Sequence, residues 1–440
     1  MGPARPGAAQ CRAFKTIMNL FDELSWRGMV MEKTDGVADA LAKERLTAYI
    51  GFDPTSSSLH VGSLLTVMGL ARLQRFGHAP IAIVGGGTGM IGDPSGKSQE
   101  RVLLSPEQIA VNVAGIRAQL EKFLDFDAKA NAARIVNNAD WLGTIDLLSF
   151  LRDIGKHFTV NYMLEKESVN RRLDSESGIS YTEFSYLVLQ AYDFLQLFDR
   201  YGCSLQMGGS DQWGNITAGT ELIRRLRAKK AHGLVWPLMT TASGQKFGKT
   251  EAGAVWLDPE RTSPFRFYQF WLNTDDRDVI SYLKCFTFLD RDAIAGIEAA
   301  HRAAPERREA QRLLAGEVTT AVHGAEQTLR AEQASSVLFG GDITKLPVDD
   351  VLAVFDDVPS RTMARADFSG DGVGIVDLLK RIGLAPSSSE ARRLVQSGGI
   401  YVNNARLSDP AAKITADGAI GGELFVVRKG QKQNFLVRLT

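Results

Sequence analysis

The sequence predicts an α/β protein: a parallel-sheet domain, then a helical domain, then a small basic α+β module. Three observations carry this. Between residues 46 and 270, short apolar runs alternate with helical patterns across Gly-rich joints, as βαβ units feeding a parallel sheet do. Between residues 274 and 334 the chain is rich in Ala, Arg and Glu and shows no strand pattern. From residue 374 two short helical patterns (375–383 and 388–397) precede short strands such as 400–402 and 423–427. At 440 residues the chain exceeds one core, and roughly 100–200 residues per domain implies several domains.

In chain order, residues 1–17 carry Arg5, Arg12 and Lys15 with no acid before Asp22. They read as an extension, or as a stretch preceding a start at Met18, since they lack the serine content and amphipathic length of a transit peptide. Residues 18–260 form the sheet domain. Within it 47–52 is a strand, 53–54 a turn, 61–76 a helix and 80–84 a second strand, followed by the joint 85–96. Ligands of such sheets lie at the carboxyl ends of the strands, where these joints fall. Residues 261–345 form the helical domain, 346–373 a polar, acidic connector, and 374–440 the last module.

Hydrophobic residues at 44% and charged residues at 23% are ordinary for a folded soluble chain. No apolar run reaches the ~18 residues of a membrane span, so no membrane partner is expected. Cys11, Cys203 and Cys285 form no CxxC pair, and the six histidines form no HxxxH or HExxH pattern. A disulfide framework and a protein-bound metal are therefore both excluded from expectation, and a cytoplasmic location fits. The formal net charge is zero, yet residues 374–440 hold ten bases against five acids, an excess that favours a phosphate backbone as partner.

Two phosphate-loop patterns fail on inspection. The segment from Gly92 to Ser98 has three residues between its glycines where a Walker loop needs four. The GxGxxG run from Gly87 to Gly92 has no clear acidic strand end to follow; its glycines read as a close backbone approach to a small ligand. Four other segments carry chemistry as a set. His60-Val-Gly62-Ser63 opens the first helix, whose N-terminal amides and dipole suit a nucleotide phosphate, with Gly62 leaving room for the base. Lys246-Phe-Gly-Lys249-Thr250 puts two ammonium groups on a Gly-flanked loop, suited to charge developing on pyrophosphate. Tyr186, Gln190 and Asp193 share one face of a helix otherwise rich in Leu, Val and Phe. Polar groups so placed cost free energy unless paired, so the face reads as the wall of a polar pocket. The joint from Gly208 to Asn215 offers a carboxylate and an amide for a ribose and a carboxylate ligand.

These segments together resemble the bacterial tyrosyl-tRNA synthetases, a class I family, from about residue 19 to the end. HVGS is similar to the HIGH signature, with Ser63 in place of its second histidine, and KFGKT to the KMSKS signature. The resemblance implies a Rossmann-like catalytic domain with an inserted dimerisation segment at about 120–180, a helical anticodon-binding domain over 261–345, and an S4-like RNA-binding domain over 374–440. It implies L-tyrosine, ATP with Mg²⁺, and tRNA(Tyr) as substrates, no further cofactor, and a homodimer with its contact region near 141–181. By the same resemblance Tyr49 and Asp193 would bond the phenol of bound tyrosine. Tyr186, Gln190 and Asp93 would hold its ammonium group, with Gln212 by the carboxylate. Gly51, Asp53, Gly209 and Asp211 would lie near the ribose and base, with Gly62. Thr55, His60, Lys246, Lys249 and Thr250 would serve the phosphates, and Lys97 and Arg101 the pyrophosphate or the tRNA end.

Overall fold

The computed structural model describes residues 18–95, 104–173, 178–245, 247–250, 253–338, 341–355, 358–430 and 433–440. They fall into two compact units. The first comprises the described part of residues 1–254 with Ile280–Ile294; the second comprises Val255–Val279 and the described part of residues 295–440.

The first unit is built on six strands: β1 (Glu32–Lys33), β2 (Thr47–Phe52), β3 (Ala79–Val84), β4 (Arg134–Asn137), β5 (Cys203–Gly209) and β6 (His232–Trp236). Their spatial order is β1-β6-β5-β2-β3-β4. All neighbours are parallel except the edge pair β1 and β6. β3 reads as an unbroken apolar run, and both β3 and β6 are buried almost throughout, as strands covered on both faces must be. The crossover from β2 to β3 is the helix Val61–Arg75. The chain leaves β2 toward β3 on one side and returns to β5 on the other, so a crevice opens beyond the carboxyl ends of these strands. The helix Tyr181–Tyr201 buries Leu187, Ala191, Phe194 and Leu197 in one core cluster with Tyr49.

Two boundaries differ from the sequence reading. Residues 120–180 are not one insertion, because β4 lies inside that span and pairs with β3. Nor is residue 260 the end of the first unit. Ile280–Ile294 returns to it, held where buried Arg72 donates to the carbonyl oxygens of Lys284 and Thr287 at 3.1 and 2.6 Å. Arg27 donates to the carbonyl of Leu289 at 2.6 Å, and Phe286 stacks on Phe247. Burial lowers the Arg72 pKa to about 9, helped by the charge of Arg27. After β6 a short hairpin, β7 (Lys249–Thr250) with β8 (Gly253–Ala254), closes this part of the chain.

The second unit opens with helices, among them Pro264–Leu272, Glu309–His323 and Ala325–Leu338. Its strands are β9 (Ser360–Met363), β10 (Val373–Gly374), β11 (Ile400–Val402), β12 (Ala405–Leu407), β13 (Lys413–Ile414), β14 (Leu424–Lys429) and β15 (Gln433–Leu439). The five-stranded sheet runs β12-β11-β14-β15-β9, and β10 pairs with β13. The connector expected at 346–373 is therefore no connector. β9 lies parallel to β15, and Met363, Phe368 and Val373 share a core with Leu378, Val395 and Phe425. Val351 and Phe355 share another with Leu424 and Leu436. Residues 346–373 carry six acids and two bases, so joining them to the tail reduces its basic excess to one. Among the described residues no helix is long and apolar enough to cross a membrane.

Candidate active site

The crevice holds a cavity of about 620 Å³. Tyr49, Gly51, Asp53, Thr55, His60, Gly62, Asp93, Tyr186, Gln190, Asp193, Gly209, Asp211 and Gln212 all line it. Residues from five separate segments of sequence thus meet in one place. Lys246, Lys97 and Arg101 lie outside the described residues; Lys249 and Thr250 are placed by their backbone in β7.

His60 caps the helix Val61–Arg75, its Nδ1 accepting from the amide of Gly62 at 3.0 Å. With Nδ1 engaged as an acceptor, the neutral ring carries its hydrogen on Nε2. A β-carbon on Gly62 would stand 2.7 Å from this ring, so the glycine makes room for the histidine rather than only for a ligand. Gly248 has φ +85°, and a β-carbon there would meet the Gly62 amide nitrogen at 3.0 Å. Gly248 therefore lies directly against the helix start.

In the glycine run after β3, Gly87 and Gly89 pack against the protein itself. The amide of Gly87 donates to Asn138 Oδ1 at 2.7 Å, and β-carbons on Gly87 and Gly89 would press on Leu142 and Pro54. Nearby, Asp53 accepts from the Tyr186 hydroxyl at 3.1 Å and from Thr88 at 3.2 Å.

Asp193 is 3% exposed. Its Oδ1 accepts from the Trp141 indole at 2.7 Å and its Oδ2 from the Asn138 amide at 2.9 Å. Burial pushes its pKa up to about 7, against the two hydrogen bonds, which lower it. Tyr49 is 1% exposed, and its hydroxyl has no hydrogen-bond partner among the described residues. Burial, and then the charge of Asp193, hold the Tyr49 pKa well above that of an ordinary phenol. The Oε1 of Gln206, on β5, likewise faces the cavity without a partner. A polar ligand in the cavity would complete both groups.

A second polar set lies beside the first. Gln212 Nε2 donates to Asp93 Oδ2 at 2.8 Å, and Asn215 Nδ2 to Gln190 Oε1 at 3.0 Å. Asp93 Oδ1 accepts from the Ser95 amide at 2.8 Å. Asn138, Trp141 and Gln206 were not singled out from sequence. Gln206 had a signal, a lone amide in a buried apolar strand. Asn138 and Trp141 follow a four-residue strand too short to stand out.

A mostly parallel sheet with a helix-capping histidine and a polar cavity in the crevice beyond its strand ends defines a class of enzyme. The sequence profile of the tRNA synthetases class I (W and Y) matches residues 41–340, and the chain belongs to that family. A profile for the Tyrosine--tRNA ligase SYY-like C-terminal domain matches residues 350–437, which includes the strand β9. The Tyrosine--tRNA ligase of Roseiflexus castenholzii is 57% identical over 96% of this chain and 99% of that protein. That of Geobacillus stearothermophilus is 53% identical over 96% of this chain and all of that protein. Among solved structures, a C-terminally truncated mitochondrial tyrosyl-tRNA synthetase from Aspergillus nidulans is similar with a TM-score of 0.67 at 30% identity. It covers 73% of this chain and 94% of its own.

Proposed function

We propose that the chain activates L-tyrosine with ATP, giving tyrosyl-adenylate and pyrophosphate, and then transfers the tyrosyl group to the 3′ end of tRNA(Tyr). Activity as a tyrosine–tRNA ligase follows from the family and from whole-chain relatives. The observation that carries the choice of tyrosine is the partnerless Tyr49 hydroxyl in the same cavity as a fixed Asp193 carboxylate. A substrate phenol gives Asp193 a donor and accepts from Tyr49. A site built to bond a hydroxyl rejects the analogue without it, and tyrosine against phenylalanine is itself the known instance of this rule.

In this reading Tyr186, Gln190 and Asp93 hold the ammonium group, and Gln212 stands by the carboxylate. Gly51, Asp53, Gly209 and Asp211 flank the ribose. The tyrosine carboxylate attacks the α-phosphorus in line. Thr55 and His60, with Lys246, Lys249 and Thr250, stabilise charge on the phosphates, which needs positioning and no covalent nucleophile. Mg²⁺ comes with the nucleotide. Among the described residues no three His, Cys, Asp or Glu side chains cluster as a metal site.

The reading includes a cytoplasmic homodimer. Leu147, Leu148, Val160 and Tyr181 are 68%, 76%, 59% and 74% exposed, and exposed apolar side chains of this kind support that reading. The test of the function is exchange of labelled pyrophosphate into ATP. Tyrosine should drive it strongly and tryptophan and phenylalanine hardly at all; equal stimulation by tryptophan would overturn the assignment.

A further inference from the structure

The segment joining β2 to the helix Val61–Arg75 carries Thr55 and His60, yet residues 53–59 have no helix or strand of their own. Such a segment holds one shape only if something outside it fixes the backbone. The helix Pro106–Leu120 does so along one face. Asn112, 2% exposed, donates from Nδ2 to the carbonyl oxygen of Pro54 at 2.8 Å, and its own Oδ1 accepts from Gln108 at 3.0 Å. One turn on, Gly115 lies so close that a β-carbon would stand 2.0 Å from the carbonyl oxygen of Ser57. At the far end, Gln119 Oε1 accepts from the amide of Leu59 at 2.8 Å, while its Nε2 donates to Ser58 Oγ at 2.8 Å. The Ser58 hydroxyl in turn donates to the carbonyl of Leu59 at 2.7 Å. Positions 112, 115 and 119 recur at the spacing that lines up side chains on one helix face.

We propose that Asn112, Gly115 and Gln119 are positioning residues for adenylate formation. They set the backbone on both sides of Thr55 and just before His60, so that these groups meet the phosphates only in the transition state. The proposal rests on the reading of Thr55 and His60 as phosphate-binding groups. None of the three touches substrate. Their effect appears in the rate of the chemical step and not in tyrosine affinity.

The test uses the full-length enzyme and two readouts: the equilibrium constant for tyrosine, and the single-turnover rate of tyrosyl-adenylate formation. Gly115→Ala adds one methyl group, and alanine favours a helix over glycine by about 1 kcal/mol, so a slower reaction cannot reflect a weaker helix. Displacing reacting groups by about 1 Å can cost a hundredfold. Gly115→Ala and Gln119→Leu should therefore slow adenylate formation by about ten- to a hundredfold with tyrosine affinity unchanged. Gln119→Glu keeps an acceptor for the Leu59 amide, and the Ser58 hydroxyl can rotate to donate to it, so this variant should recover most of the rate. Thr55→Ala and His60→Ala serve as controls. If neither control slows the reaction, the phosphate reading itself fails. If both do while Gly115→Ala and Gln119→Leu match the parent enzyme, or lose tyrosine affinity in step with rate, the positioning role is overturned.

Discussion

The indole nitrogen of Trp141 lies 2.7 Å from Oδ1 of Asp193 and donates to it inside the core. This bond lowers a carboxyl pKa that burial pushes up to about 7. Trp141→Phe removes the donor, so the Asp193 pKa should rise further. Ionised Asp193 is the stronger acceptor for a substrate phenol, and kcat/KM reports groups of the free enzyme. The parent enzyme should lose kcat/KM for tyrosine as pH falls through about 7. In Trp141→Phe the midpoint of that loss should move to higher pH. An unmoved midpoint would mean that another group controls the profile.

The same carboxyl links pH to stability. Its folded pKa of about 7 lies above the ordinary value of 3.8. Its contribution to stability is therefore fully present below the ordinary value and is lost as pH rises through about 7. Asp193→Asn cannot ionise. Without tyrosine, melting curves from about pH 5 to about pH 8 should show the variant gaining on the parent protein as pH rises. A constant difference would place Asp193 in a wetter setting than its 3% exposure indicates.

Tyr49→Phe should move stability and specificity in opposite directions. Leaving a buried hydroxyl unbonded costs about 1–3 kcal/mol, so removing it should hold or raise the melting temperature of the unliganded protein. Discrimination between tyrosine and phenylalanine in pyrophosphate exchange should fall. A fall in both would show that the hydroxyl is already satisfied without substrate.

Much of this site was legible because its residues announce themselves in ways that survive without coordinates. His60 and Gly62 stand at a strand-to-helix junction, and Tyr186, Gln190 and Asp193 are polar interruptions of an apolar helix face. The strands β2 and β3 were readable because both faces are buried and the apolar runs are continuous. What escaped was set by pairing between distant segments. β4 is four residues long and gains its identity only beside β3. β9 was hidden in an acidic stretch because β15, its partner, is more than seventy residues away. Missing it also led to an overestimate of the charge on the C-terminal module. Asn138 and Trp141 matter through Asp193, a relation that no spacing rule encodes.

The tRNA half of the function can be probed without cutting the chain. Deleting residues 374–440 would strip β9 of its partner and bare Val351 and Phe355, so its effects would mix folding with binding. Arg392 and Arg393 are exposed on the helix Ser388–Gln396. Replacing each with Ala should weaken tRNA binding and reduce the slope of log affinity against log salt by about one per residue. Adenylate formation should be untouched. A slope equal to that of the parent protein would move the RNA contact elsewhere.

Leu148, at 76% exposure, should be covered in a dimer. Leu148→Asp buries a charge at that face on association, which disfavours it strongly. Sedimentation should show a monomer, or a dimer dissociating at higher concentration than the parent. An unchanged dimer would exclude this patch from the interface.

The cavity draws on Tyr49 in β2, Asn138 after β4, Asp193 in a later helix, Gln206 in β5 and Trp236 in β6. No one of these segments contains a fragment of the site that could recognise tyrosine unaided. During synthesis the amino-terminal part of a domain emerges first and waits for its partners. A nascent chain here cannot complete this cavity until Trp236 has left the ribosome. A ligand of this cavity meets its full set of partners only on the completed sheet, so its binding should favour the finished fold by mass action.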